Sequence, residues 1–118
     1  MNVLDWLPRA LASEEVHILP AFSQWLATGE QDFGGWFLLD ERGAFANRTE
    51  LGRLYPGRKI LPFARRGDRD DVACLVLNDL KHPRGTILLI HDGAMPGYEV
   101  EGVIASLTQW FEQAQEEA

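Results

Sequence analysis

The segment from Lys59 to Leu77 constrains the fold of this chain more than any other. Lys59 to Ala64 carries the apolar run Ile60-Leu61-Pro62-Phe63-Ala64, bounded upstream by Pro56-Gly57, and Val72 to Leu77 is apolar and partly β-branched. Between them, Arg65-Arg66-Gly67-Asp68-Arg69-Asp70-Asp71 holds a Gly and three Asp. Such residues suit turns, because Gly adopts φ > 0 freely and Asp side chains bond the neighbouring backbone. The segment therefore reads as strand, charged turn, strand, with a turn too charged to be buried.

Other elements follow from periodicity. In Pro20 to Thr28, the residues Phe22, Trp25 and Leu26 share one helical face, Pro20 suits the first turn and Gly29 suits the position after the end. Val3 to Leu11 reads as a short helix interrupted by Pro8. Trp36 to Leu39 reads as a buried strand, with Asp40-Glu41-Arg42-Gly43 as the turn of a hairpin that returns near Ala44-Phe45-Ala46. Arg48 to Leu54 suits one or two helical turns, with Asn47 as their cap. Thr86 to His91 forms a further strand stopped by Asp92-Gly93. From Val103 onward, Val103, Ile104, Leu107, Trp110, Phe111 and Ala114 recur at helical spacing, which places Trp110 and Phe111 in the core. No repeat or low-complexity linker divides the chain, so residues 1–118 form one domain. Strands in the middle and helices at the ends predict an α+β fold: an antiparallel sheet of about five to six strands, packed on one face by N- and C-terminal helices.

The order of these motifs resembles the SUKH superfamily, in which a Leu-Pro-Phe-type strand runs through a Gly-Asp-containing acidic turn into a short apolar strand. Upstream, Ile18 to Gly29 is similar to the superfamily's Leu-Pro element leading an amphipathic helix. Downstream, Ile90-His91-Asp92, then Tyr98-Glu99 and a helix with Trp110 and Phe111, look like its last strand and closing helix. The likeness covers about the whole chain and lies in order and spacing rather than in any single motif. There are two departures: the stretch before Leu19 is short and holds Pro8, and Phe33-Gly34-Gly35-Trp36 replaces a simpler Gly-rich turn. The superfamily comprises bacterial immunity proteins against secreted toxins and fungal regulators of cell-wall assembly. The resemblance thus implies an α+β layout and a non-catalytic domain that neutralises a toxin by covering or obstructing its active site. Its fungal branch implies a different role, a regulatory scaffold in cell-wall or stress physiology.

Charge narrows the partner. Eleven basic residues against eighteen acidic ones give a net charge of −7, which disfavours nucleic acid as a partner, since phosphate binding needs a positive surface. All formal charges after Arg84 are negative: Asp92, Glu99, Glu101, Glu112, Glu116 and Glu117. Such an end could steer a basic partner, and a nuclease toxin is basic where it grips its substrate; toxins with other activities stay open. The competing reading is that these acids only maintain solubility. The contact residues this suggests are Tyr98 as anchor, with Glu99, Glu101, Asp68, Asp70 and Asp71; alternatively, Tyr98 packs under the Pro96-Gly97 turn. Cys74 is the only cysteine and sits in an apolar strand, so no intramolecular disulfide forms and a reducing cytoplasm is expected. The N-terminus lacks a basic leader and no run approaches the roughly 20 apolar residues that span a bilayer, so no membrane partner is expected.

Little in the chain points to catalysis. Asp68, Asp70 and Asp71 could share a hard cation, but counted as a calcium loop from Asp68, Ala73 stands where Gly is needed and Asp79 where a bidentate Glu is needed. Arg65, Arg66 and Arg69 stand close enough to compensate these acids, so a solvated charged hairpin and no metal site are expected. His17, His82 and His91 are the groups that titrate near neutrality, and His91-Asp92 are adjacent strand residues that point to opposite faces. No Gly-rich phosphate cradle, nucleophile elbow or Cys/His cluster is present, and no cofactor is expected. A small hydrolase using His91 with Asp92 or the Asp68 group is the lesser alternative.

Overall fold

The computed structural model describes residues 2–68 and 70–116. Two helices, α1 (Trp6–Ser13) and α2 (Pro20–Ala27), precede a short hairpin of β1 (Asp32–Phe33) and β2 (Trp36–Leu38). Helix α3 (Glu41–Leu54) then leads to β3 (Lys59–Arg66), β4 (Asp71–Asn78), β5 (Ile87–His91) and β6 (Val100–Ile104), and α4 (Leu107–Glu116) closes the chain. All six strands pair antiparallel in chain order, giving the α+β architecture expected from the sequence.

The motif strands form the centre of this sheet, with Arg65 opposite Val72 and Arg66 opposite Asp71. Pro62 lies within central strand β3, where a missing N–H would break the ladder. The register shifts between Pro62 and Ala64, an irregularity of the kind that admits proline in a sheet. Strand β4 is buried from Val72 to Val76 without alternation, because both faces of the sheet are covered. On one face, Leu61, Phe63, Ala73, Leu75, Ile87 and Ile104 pack with the core residues of α1, α2 and α4. On the other, Ile60, Val72, Cys74, Val76, Leu88 and Ile90 pack beneath Leu51 and Tyr55.

Helix α3 therefore departs from the expected one-sided arrangement, and it replaces the hairpin expected over Asp40 to Ala46. Asp40 caps a helix instead of starting a β-turn: its Oδ1 accepts the Gly43 N–H at 2.7 Å. Only Ala44 and Leu51 of α3 are buried, too sparse a pattern for periodicity to disclose the helix. Pro8 does not interrupt α1, because it falls in the first turn, where backbone N–H groups have no intrahelical partner. Val103 and Ile104 belong to β6 rather than to the last helix. Ile104 is buried and Val103 is 54% exposed, the two-residue alternation of a strand. The closing helix begins at Leu107, where Ser106 Oγ accepts the Gln109 N–H at 3.2 Å.

Trp110 and Phe111 are buried as expected. Phe111 lies 4.8 Å from Phe22 and stacks on Phe33 at 5.1 Å, while Trp110 meets Phe63 edge-on at 4.8 Å. Gly34 makes this packing possible: at φ +57° its backbone lies so close to Ala114 that an added Cβ would sit 1.8 Å from the Ala114 carbonyl oxygen. Among the described residues, no helix is long and apolar enough to cross a membrane.

Candidate functional site

The motif turn separates its three acids. Asp68 is exposed and accepts from Arg66 Nε and Nη2, both at 3.1 Å, and the Arg66 guanidinium lies 5.4 Å from the Trp36 ring centroid. Asp70 is exposed, at φ +54°. Asp71 is not part of a solvated hairpin: it is only 3% exposed, since as the first residue of β4 it shares the inward face with Ala73 and Leu75. Arg65 turns away from these acids to Asn47 Oδ1 and to Asp92, 3.1 Å away. Arg69, expected to compensate them, lies outside the described residues, as does Glu117.

Asp92 lies in the turn after β5, not in the strand, and its carboxylate pairs with Arg65 rather than with His91. The His91 Nδ1 instead approaches Asp71 Oδ1 at 3.4 Å and Glu101 Oε1 at 3.5 Å. These three residues could each offer a ligand atom to a divalent cation, all within 4.8 Å of one another. The two shorter separations resemble the roughly 3.4 Å edge of a tetrahedron with bonds of about 2.1 Å. Beside Asp71 is a cleft of about 50 Å³ lined by Trp36, Arg66 and Gln113, room for water rather than for a substrate. Glu101 remains half exposed at the edge of the sheet.

A second constellation joins the end of α3 to two of the strand connections. The Tyr55 hydroxyl donates to the Ala94 carbonyl at 2.6 Å. Arg58 donates from Nε to Glu99 Oε1 at 3.2 Å and from Nη1 to Asp79 Oδ2, tying the β4–β5 and β5–β6 connections to one side chain. The Gly97 N–H completes the Glu99 shell, donating to Oε2 at 2.6 Å. Burial alone would raise the Glu99 carboxyl. Backbone hydrogen bonds, together with the hydrogen bond and charge of Arg58, outweigh it and hold the group below the usual carboxylate range. Glu99 is thus an interior structural acid, not the surface contact expected beside Tyr98.

Above this network lies a groove of about 280 Å³ whose walls include Leu54, Tyr55, Pro56, Leu80 and Pro96. Three large apolar residues on the same two connections stand in water: Leu80 at 103% relative exposure, Tyr98 at 78% and Met95 at 74%. Tyr98 is therefore not packed beneath the Pro96-Gly97 turn. Sequence reasoning found Tyr98 but passed over Arg58, Asp79, Leu80 and Met95. A signal for Leu80 was available: it is a lone leucine between Asp79 and Lys81 in an otherwise polar loop.

Cys74 offers no nucleophile, since it is fully buried and burial pushes its thiol well above the ordinary range. Comparisons with protein-family models, with curated proteins and with solved structures return no match for this chain.

Proposed function

We propose that this chain is a SUKH-like, non-catalytic domain that binds another protein, and that the partner is a toxin domain neutralised by direct contact. The observation that carries the reading is the trio Leu80, Met95 and Tyr98, exposed on connections that Arg58 and Tyr55 hold in place. Leu80 and Pro96, the latter between Met95 and Tyr98 in the chain, line one groove, so the three exposed side chains stand on connections that border it, and exposed apolar patches mark contact surfaces. Holding them on anchored loops lowers the ordering entropy that binding would otherwise cost. Tyr98 supplies the broad, stiff side chain favoured at the centre of interfaces. Asp68, Asp70 and Glu101 are exposed acids, Asp68 paired with Arg66 and Glu101 beside His91, and their charge adds to the steering of a basic surface, a preference that nuclease toxins fit. Asp71 and Glu99 have no such role, being interior.

The test is a paired substitution, Leu80→Ser with Tyr98→Ser. Both side chains are exposed, so the variant should melt within about a degree or two of the wild type. It should fail to protect cells that express the cognate toxin, against which the wild type protects. Full protection by a correctly folded double variant would remove the surface from the account.

A second reading, a small hydrolase, draws on the convergence of His91 with Asp71 and Glu101. The adjoining cleft is too small for a substrate, which leaves the binding role better supported. His91→Ala separates the two, since a binding domain keeps its protective activity without this imidazole and a hydrolase does not.

A further inference from the structure

We propose that the groove beside Arg58 receives a cationic side chain, lysine or arginine, from the protein partner. This rests on the protein-binding reading and adds the chemistry of what is bound. The floor sets one guanidinium against two carboxylates, Asp79 and Glu99. All three are largely withdrawn from water, Arg58 at 17% side-chain exposure and each carboxylate at 6%. One surplus negative charge therefore lies where water screens it poorly. The Tyr55 phenol in the groove wall registers the same field. Burial is the first cause of its raised pKa, and the charges of Glu99 and Asp92 raise it further.

An anion entering here would meet two carboxylates and find two Arg58 nitrogens already engaged. A cation would meet four carboxylate oxygens that each accept one hydrogen bond, from Arg58, the Lys81 N–H or the Gly97 N–H, and each oxygen keeps a second lone pair. The walls suit the rest of such a side chain: Leu54, Pro56, Leu80 and Pro96 offer apolar surface to an aliphatic stem while its charged head reaches the floor. Lys81 also lines the groove, cancels the surplus charge formally and opposes an incoming cation, but it is exposed, so water screens its charge more than it screens the buried carboxylates. The chain's net charge of −7 adds a long-range attraction of the same sense.

The probe is the capped tripeptide Leu-Arg-Leu, titrated into isotope-labelled protein and followed by amide NMR. Its controls carry citrulline, the neutral isostere of arginine, or glutamate at the central position. Shifts are expected at Gly57, Leu80, Lys81 and Gly97, with the citrulline peptide binding about threefold to fivefold more weakly. Lys81→Ala removes the opposing charge and should tighten the arginine peptide by about twofold. Equal binding of the citrulline peptide, shifts centred elsewhere, or weaker binding to the Lys81→Ala protein would each overturn the inference. If the groove fails these tests while Leu80→Ser with Tyr98→Ser still abolishes protection, the cation site falls and the protein-binding reading stands.

Discussion

Glu99 and Tyr98 are neighbours in sequence with opposite fates. Tyr98 stands in water, whereas Glu99 turns inward to Arg58 and the Gly97 N–H. That contrast sets a pH dependence. Glu99 titrates below its ordinary value of 4.5 in the folded protein, so its stabilising contribution is fully present above that pH and is lost as pH falls through the folded value. The acid limb of a stability-against-pH curve should accordingly be shallower for Glu99→Gln than for the wild type. Superimposable slopes would show that the carboxylate is not held by these contacts. Phe111 tests packing at the same scale. It is 3% exposed and stacked among Phe22 and Phe33, so Phe111→Ala should cost about 3–5 kcal/mol in denaturant unfolding. A loss below about 1 kcal/mol would mean that the surrounding aromatic residues close over the gap.

At the scale of elements, the sequence was most legible where one face is buried or a turn is chemically marked. The β3–β4 motif hairpin, α2 between Pro20 and Gly29, and the burial of Trp110 and Phe111 could all be read from spacing. Helix α3 could not, because it buries only Ala44 and Leu51, and Asp40 suits a turn as well as it suits a helix cap. The boundary near Val103 failed for a related reason. Val103 and Ile104 fall in phase with the following helix by spacing, and only pairing with β5 makes them strand. The candidate surface was half legible: Tyr98 was visible as an aromatic beside acids, but the Arg58 network needs three segments distant in the chain to meet. Two substitutions probe these elements. Asp40→Ala should cost about 1 kcal/mol by removing the cap on the Gly43 N–H. Gly34→Ala should do more damage than an ordinary loop change. Its added methyl collides with the Ala114 backbone and its φ is +57°, so α4 should lose amide-exchange protection before the central strands do.

Over the whole molecule, the sheet is covered on both faces, and the three most exposed large apolar side chains among the described residues, Leu80, Tyr98 and Met95, stand on connections that leave it. The interior ion network orders those connections without using Leu80, Met95 or Tyr98, which is the arrangement expected of a preorganised contact surface. On the proposed reading, the net charge of −7 favours a basic protein over nucleic acid as the partner. The exposed acids also have a kinetic signature. Glu101→Lys with Asp68→Lys should slow association with a basic partner and flatten its salt dependence, measured by stopped-flow mixing. The most direct measurement is of the complex itself: wild type and the Leu80→Ser, Tyr98→Ser variant, each matched for melting temperature, are mixed with the cognate toxin domain and scored for stoichiometric binding and toxin activity. The account predicts an equimolar, inactive complex with the wild type and free, active toxin with the variant. Equal binding and inhibition by both proteins would contradict it.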